Sequence, residues 1–225
     1  LSSLEAKISE RLKELGLSCW EYGGYLRVEP KEWDRLIELI TVNETYFFRE
    51  ENLLKEFQKV ILPQYKDRTP DNPLRIWCSA CSSGEEPYTL AILIEETGMF
   101  EAGSIEIIAS DINKKVLEKA KQGLYNKKSF SFRTMPKEIL DKYFISLDEE
   151  YKVRDSIRLM VDFRYLNLLD ENIEEKVGKV DIIFCRNVLI YFDTKAINKV
   201  INSLYNVLKA EGYLLLGHGE TITGM

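Results

Sequence analysis

The chain has 225 residues, 45% hydrophobic and 30% charged, which is the size of one large domain or one domain with a small appendage. That mix excludes a disordered tail, a collagen-like fibre and a disulfide scaffold. The 31 Lys and Arg against 37 Asp and Glu leave a net charge of −6, which argues against a nucleic-acid binder. No apolar run reaches the ~18 residues of a membrane span. No secretory signal opens the chain, and a start at Leu1 instead of Met is expected of a trimmed N-terminus.

Leu4, Ile8, Leu12 and Leu15 recur at helical spacing, and Gly16 supplies a stop. Residues 19–30 are expected to be irregular. Trp33, Leu36, Ile37 and Ile40 predict a second helix. Turn-prone polar residues over 41–45 precede an aromatic pair, Phe47 and Phe48. Residues 50–62 read as a helix ended by Pro63, and 66–73 as a connector.

From residue 74 the pattern changes. Residues 74–79 predict a buried strand, 80–84 a small-residue loop, and 85–96 a helix with Pro87 in its first turn. A second strand over 104–110 ends in Asp111, and a helix over 113–122 is closed by Gly123. Residues 180–185 read as another buried strand. Asp193 or Thr194 caps a helix carrying Ile197, Val200, Ile201, Leu204 and Leu208, which Gly212 ends before a strand over 213–217. Strands alternating with helices predict an α/β fold with a mostly parallel sheet. One segment departs from this: Leu159, Val161, Phe163 and Tyr165 alternate with Met160, Asp162 and Arg164. With 151–154, joined through a turn at Asp155-Ser156, it predicts a small antiparallel element between about residues 144 and 165.

Cys78 and Cys81 form a lone C-x-x-C, and His218 is the only histidine. The pair reads as small residues buried near a strand end in a reducing, cytoplasmic setting. The strand, loop and helix start from Leu74 to Pro87 have the geometry in which Rossmann-like folds hold a nucleotide, without the G-x-G-x-x-G fingerprint. Gly84 is followed by Glu85 and Glu86. Two acids there repel a pyrophosphate and suit a ligand with a positive amine and no phosphate, such as S-adenosylmethionine. Equally, they complement a helix N-terminus. Asp111, at the end of the second strand, suits ribose hydroxyls or the cap of the next helix. Arg186, Asn187 and Tyr191 follow the 180–185 strand, at the edge where open α/β sheets bind ligands. Between Lys114 and Lys142 nine Lys and Arg meet three Asp and Glu, as a solvated face or as a surface for an acidic partner.

Four stretches, Asn43-Glu44-Thr45-Tyr46-Phe47-Phe48-Arg49, Ser83-Gly84-Glu85-Glu86-Pro87-Tyr88, Ala109-Ser110-Asp111-Ile112 and residues 184–193, give the chain a specific likeness. In their order it resembles the CheR-type chemotaxis receptor methyltransferases. Gly217-His218-Gly219-Glu220 is similar to that family's Gly-His-Ser-Glu. The resemblance implies a Rossmann-like class I S-adenosylmethionine-dependent methyltransferase. It implies a helical N-terminal domain over residues 1–40 and a methyltransferase domain over 41–225, with a small antiparallel β-subdomain inserted at about 144–165. It further implies methyl transfer to glutamates of receptor cytoplasmic helices, leaving S-adenosylhomocysteine, as sensory adaptation in bacterial or archaeal chemotaxis.

The resemblance also implies cofactor contacts at Asn43, Thr45, Arg49, Glu86, Asp111, Asn167, Leu168, Arg186 and Asn187, a catalytic pair of Arg49 and Tyr191, and no metal. A glutamate with a pKa of about 4.3 is already a carboxylate at neutral pH. Its methylation needs alignment and a dry site more than a strong base. A nucleic-acid methyltransferase would share the cofactor site, but no Asn-Pro-Pro-Tyr motif is present and the charge is negative. A non-catalytic S-adenosylmethionine-binding regulator is the other alternative. Residues 1–40 hold six Lys and Arg against eight Asp and Glu. The family's basic receptor-binding helix is therefore expected to be missing, trimmed or replaced by the 114–142 segment. The short hairpin over 144–153 leads to the expectation of independence from a receptor pentapeptide tether. The end at Met225 leads to the expectation that the family's last sheet strands are absent, leaving an edge able to pair with another copy.

Overall fold

The computed structural model describes residues 3–222. Three helices come first: α1 (Ser3–Leu15), α2 (Cys19–Val28) and α3 (Pro30–Ile40). After residues 41–50, α4 (Glu51–Glu56) runs on through a π turn and a 3-10 turn to Tyr65. Then follow β1 (Leu74–Ser79), α5 (Glu85–Thr97), β2 (Ile105–Asp111), α6 (Lys114–Gln122) and β3 (Leu124–Asn126). Next come α7 (Lys137–Tyr143), β4 (Phe144–Ser146), β5 (Glu150–Val153), α8 (Asp155–Arg158) and β6 (Val161–Tyr165). Last are α9 (Ile173–Val177), β7 (Val180–Cys185), α10 (Thr194–Val207) and β8 (Leu208–Leu216).

Five strands form one parallel sheet in the order β6-β2-β1-β7-β8. Side chains of successive residues point to opposite faces of a strand, and both faces here are covered. Ile76, Cys78, Ile107, Ala109, Ile182 and Phe184 enter one apolar layer with α5. Trp77, Ile108, Ile183 and Cys185 enter the other with α9 and α10. This two-sided burial is why these strands read as continuous apolar runs. The chain starts in the middle at β1, moves out through β2 to β6, then crosses back to β7 and β8. The connections leaving β1 and β7 therefore run in opposite directions, which opens a crevice at the carboxyl ends of those two strands.

Three expectations are corrected. Residues 19–28 are helical: Ser18 and Glu21 form a capping box, and the buried Tyr22 hydroxyl donates to Glu32 at 2.9 Å. Arg11 grips the same Glu32 carboxylate with two bonds, at 2.9 and 2.7 Å. These contacts outweigh the poor helix propensity of Gly23-Gly24.

The alternating segment does not join an antiparallel element: β6 pairs in parallel with β2. Residues 155–158, expected as a turn, form α8. The alternation reflects an edge strand with one half-covered face. The antiparallel sheet, in the order β3-β5-β4, instead draws its strands from residues 124–153. Finally, α10 stops at Val207, and Gly212 sits inside β8, next to Glu211 at φ 62. A Cβ on Gly212 would lie 2.7 Å from the Asp181 carbonyl, so this irregular crossing of β7 requires glycine.

Phe47 ties the segment before α4 to the small sheet. Its ring is fully buried and lies 5.0 Å from Tyr125, 5.4 Å from Phe132 and 5.2 Å from Phe144. Its N–H donates to the Ser131 carbonyl at 2.9 Å, and the Thr134 hydroxyl donates to its carbonyl at 2.6 Å. Phe47→Ala is expected to cost about 3–5 kcal/mol in urea unfolding; a loss below about 1 kcal/mol would contradict this anchoring role.

Candidate active site

A cavity of about 480 Å³ occupies the carboxyl edge of the sheet. The loops after β1, β2, β6 and β7 form its floor, residues 41–49 one side, and Leu4, Ile37 and Ile40 of α1 and α3 an apolar outer wall. Asn43, Thr45, Arg49, Glu86, Asp111, Asn167, Leu168, Arg186, Asn187 and Tyr191 all line it. The structure thus brings together all ten residues singled out from the sequence.

Arg186 sits at the centre of the polar wall, its side chain 2% exposed. Nη1 donates to Glu86 Oε2 at 2.6 Å, and Nη2 donates to the Arg49 carbonyl at 2.9 Å and lies 3.2 Å from Glu50 Oε2. Burial pushes the Glu86 carboxyl above the usual carboxylate range, against the pull of Arg186. Burial alone would raise Glu50 too, but Arg186, the His218 backbone N–H and the Asn187 amide hold it below that range. Two carboxylates thus face one guanidinium, and this wall keeps a net negative charge when all three groups are ionised.

Asp111 ends β2 nine-tenths buried, and burial raises its carboxyl. One oxygen accepts the Ser82 N–H and the other the Asn113 N–H, both at 2.8 Å. The cap of α6 is not Asp111 but Asn113, whose side-chain oxygen accepts from Lys115 and Val116. Asn113 Nδ2 also donates to the Thr41 hydroxyl at 2.9 Å, and Ser82 Oγ donates to the Asn43 carbonyl at 3.2 Å. These bonds draw residues 41–45 over the loop that follows β1.

Arg49 Nη1 donates to the Glu44 carbonyl at 3.0 Å, and its guanidinium lies 5.6 Å from the Tyr46 ring centre. Arg133 stacks on that same ring at 3.5 Å. Asn167 Oδ1 accepts the Leu169 N–H at 3.0 Å, which shapes the turn after β6. The Leu168 side chain belongs to the buried core on the α9 and α10 face. Tyr191 is 56% exposed at the rim, in a 3-10 turn.

The loop glycine is set by packing. Gly84 has φ 93, and a Cβ on it would lie 2.9 Å from Ala120 Cβ of α6. Around it, Phe48, Glu50, Ala80, Ser82 and Asn187 all adopt positive φ without being glycine. Such left-handed residues cluster where surrounding contacts over-determine the backbone, commonly at functional sites. Cys78 and Cys81 are both buried, and burial pushes their thiols well up.

Much of the positive charge over 114–142 is consumed inside the molecule. Lys114 and Lys115 pair with Asp34 and Glu38 of α3, Lys128 with Glu149, and Lys142 with Glu96. Two acidic side chains proved central without being singled out: Glu50 beside Arg186, and Glu220, which accepts backbone N–H groups from the loop after β7. Glu50 directly follows Arg49, and Glu220 ends the Gly-His-x-Glu stretch, the only signals either gives in the sequence. The apolar wall from α1 and α3 had no signal beyond helical spacing.

The donor set suits S-adenosylmethionine. Arg186 Nε is buried without a hydrogen-bond partner among the described residues, so an incoming carboxylate would satisfy it. Glu86 offers a carboxylate to an ammonium. The Asp111 carboxylate accepts backbone N–H groups of Ser82, Asn113 and Ile112, and of its roughly four lone-pair sites one is left for a hydroxyl. A parallel sheet with this switch point, an acid at the end of β2 and an acidic loop in place of a phosphate cradle define a class I S-adenosylmethionine-dependent methyltransferase. Residues 43–225 match the family described as CheR methyltransferase, SAM binding domain, and the chain belongs to that family.

Curated relatives match most of this chain and extend beyond the matched part. Chemotaxis protein methyltransferase 2 of Vibrio cholerae is 40% identical over 206 residues, covering 90% of this chain and 71% of that protein. Chemotaxis protein methyltransferase of Borreliella burgdorferi is 37% identical over 230 residues, covering 98% and 80%. That of Pseudomonas putida is 34% identical over 230 residues, covering 99% and 82%.

Removing Arg186 leaves two partly buried carboxylates without their cation. Arg186→Ala is expected to destabilise the protein by about 3–5 kcal/mol in denaturant unfolding; an unchanged midpoint would refute the central place given to this guanidinium.

Proposed function

We propose that this protein methylates glutamate side chains on the cytoplasmic helices of chemotaxis receptors, forming glutamate methyl esters in sensory adaptation. The observation that carries the reading is the convergence of Arg49, Glu86, Asp111, Arg186 and Tyr191 on one cavity in a chain of this family. The naming of its relatives for chemotaxis supplies the substrate class. Residues 1–40 are read as a helical N-terminal domain and 41–225 as the methyltransferase domain, with the small sheet as its insert. No described helix is long and apolar enough to cross a membrane. The reading places the protein in the cytoplasm, where receptor helices are reached. Nucleic acid is not its substrate on this reading, in keeping with the net charge of −6. The β4–β5 connection spans only residues 147–149, which supports action independent of a pentapeptide tether.

Each residue has a physical task. Glu86 holds the ammonium of S-adenosylmethionine, Arg186 its carboxylate, and Asp111 its ribose hydroxyls, with Asn43, Thr45, Asn167, Leu168 and Asn187 completing the enclosure. When bound, the cofactor supplies a methyl on a sulfonium whose charge vanishes, together with that of the attacked carboxylate, as the methyl moves. Arg49 grips the target glutamate with its planar fork, and Tyr191 donates one hydrogen bond to it. Leu4, Ile37, Ile40 and Val42 give the cavity an apolar wall. A dry site favours a step in which opposite charges cancel. No general base is needed, because the nucleophile is ionised at neutral pH.

Labelled S-adenosylmethionine with receptor cytoplasmic fragments, bearing or lacking a C-terminal pentapeptide, tests the reading. Base-labile methyl esters at equal rates on both fragments are expected. Label on RNA or DNA, or none on any receptor, would overturn it. In the same assay Arg49→Lys is expected to lower turnover sharply with cofactor affinity less affected, and Tyr191→Phe to lower the rate without unfolding. Wild-type rates would dismiss those roles.

The Glu86 carboxyl, raised by burial and flanked by Arg186, Glu50 and Arg49, takes up its proton at a higher pH than an exposed glutamate. Only the ionised form attracts an ammonium. Cofactor affinity by calorimetry is therefore expected to fall on acidification, beginning at a higher pH than the value of about 4.3 of an unperturbed glutamate would give. Glu86→Gln is expected to bind more weakly at neutral pH and to flatten that dependence; an equally steep profile in the variant would assign the titration elsewhere.

A further inference from the structure

Glu220 receives four backbone donors on one carboxylate. Oε1 accepts the N–H groups of Val188 and Leu189, both at 2.8 Å. Oε2 accepts those of Asn187 at 2.7 Å and Gly217 at 2.8 Å. The side chain is buried, and Asn187, the first residue gripped, is held at φ 57. Gly217 passes so close that a Cβ there would lie 2.7 Å from Asn187 Nδ2 and 2.8 Å from Glu220 Oε2. The gripped loop also leads back to the guanidinium wall, because Asn187 Nδ2 donates to Glu50 Oε1 at 3.4 Å.

We infer that Glu220 is a positioning residue for methyl transfer, its carboxylate fixing the loop after β7 so that Arg186 and Asn187 at the start of that loop and Tyr191 further along it all face the cavity. The inference rests on the roles proposed above for those three residues. Three consecutive N–H groups turned towards one point form a concave cradle for negative charge, and here the anion comes from the chain itself. An ionised carboxylate is acceptor-only and can serve all four donors. An amide has one acceptor oxygen, and its NH2 would confront two backbone donors, leaving them buried and unpaired.

A second buried carboxylate, on β7 itself, separates positioning from plain stability. Asp181, at the opposite end of β7, pairs with Arg68 at 2.5 Å and Lys209 at 2.9 Å and accepts the Arg75 N–H at 3.0 Å, away from the cavity. The experiment uses the full chain at a temperature where circular dichroism finds every variant folded. S-adenosylhomocysteine affinity is read by calorimetry, and kcat by methyl transfer to receptor fragments.

Glu220→Gln is expected to weaken the affinity and lower kcat by roughly tenfold or more each, the scale of a misplaced site loop. Gly217→Ala keeps the carboxylate but wedges it from Asn187, and is expected to act in the same direction. Asp181→Asn is expected to lower the melting temperature and leave affinity and kcat unchanged. Wild-type affinity and kcat in folded Glu220→Gln would overturn the inference, as would an equal loss of both in Asp181→Asn. Should Glu220→Gln not fold, wild-type affinity in Gly217→Ala overturns it. S-adenosylhomocysteine binding needs no receptor, so the affinity comparison stands even if the receptor reading fails.

Discussion

The guanidinium of Arg186 is the contact on which this site depends. It links residues 100 and 137 positions away in the chain, Glu86 at the start of α5 and the Arg49 carbonyl, and Glu50 joins the same network. A buried cation needs partners, and two carboxylates and a carbonyl pair both Nη atoms, leaving Nε for the ligand. The same arrangement leaves one surplus negative charge beside a cavity. Stability and ligand preference therefore have one source: the pairing that holds three segments together also makes the pocket suited to a cation. A phosphate-bearing nucleotide would meet the opposite field.

Much of the fold was legible in the sequence because burial on both faces leaves a plain signature. The apolar runs at 74–79 and 180–185 read as buried strands, and Pro87 and Gly123 marked helix ends. The errors came where tertiary contacts outweigh local preference. Residues 19–30 read as irregular, yet a capping box and the Arg11–Glu32–Tyr22 network make residues 19–28 helical. Alternation over 159–165 read as half of an antiparallel pair, whereas a parallel edge strand produces the same period. Gly212 read as a helix stop because a glycine demanded by a close strand crossing looks the same in one dimension.

The site was legible in its first layer and not in its second. Asp111 and Arg186 follow strand ends, where position alone implies contact with a ligand, and the family likeness supplied Asn43, Thr45, Asn167 and Leu168. Glu50 and Glu220 act on backbone and on other side chains, and no spacing rule announces that. The basic run from Lys114 to Lys142 illustrates the opposite failure. A local charge excess in sequence need not be a surface field, because α3 places Asp34 and Glu38 against its first lysines. Arg49 and Arg133 both gather around Tyr46, and Arg133 too is paired, with Glu44 at 3.4 Å.

The central claim is that cofactor recognition is organised around the Arg186 network at the switch point between β1 and β7. A crystal structure of the protein with S-adenosylhomocysteine tests it most directly. The account predicts the ligand in that cavity, its ribose hydroxyls on Asp111 and its ammonium on Glu86, with Arg186 still paired to Glu86 and Glu50. A ligand bound elsewhere, or one that enters only after Arg186 has left both carboxylates, would contradict it.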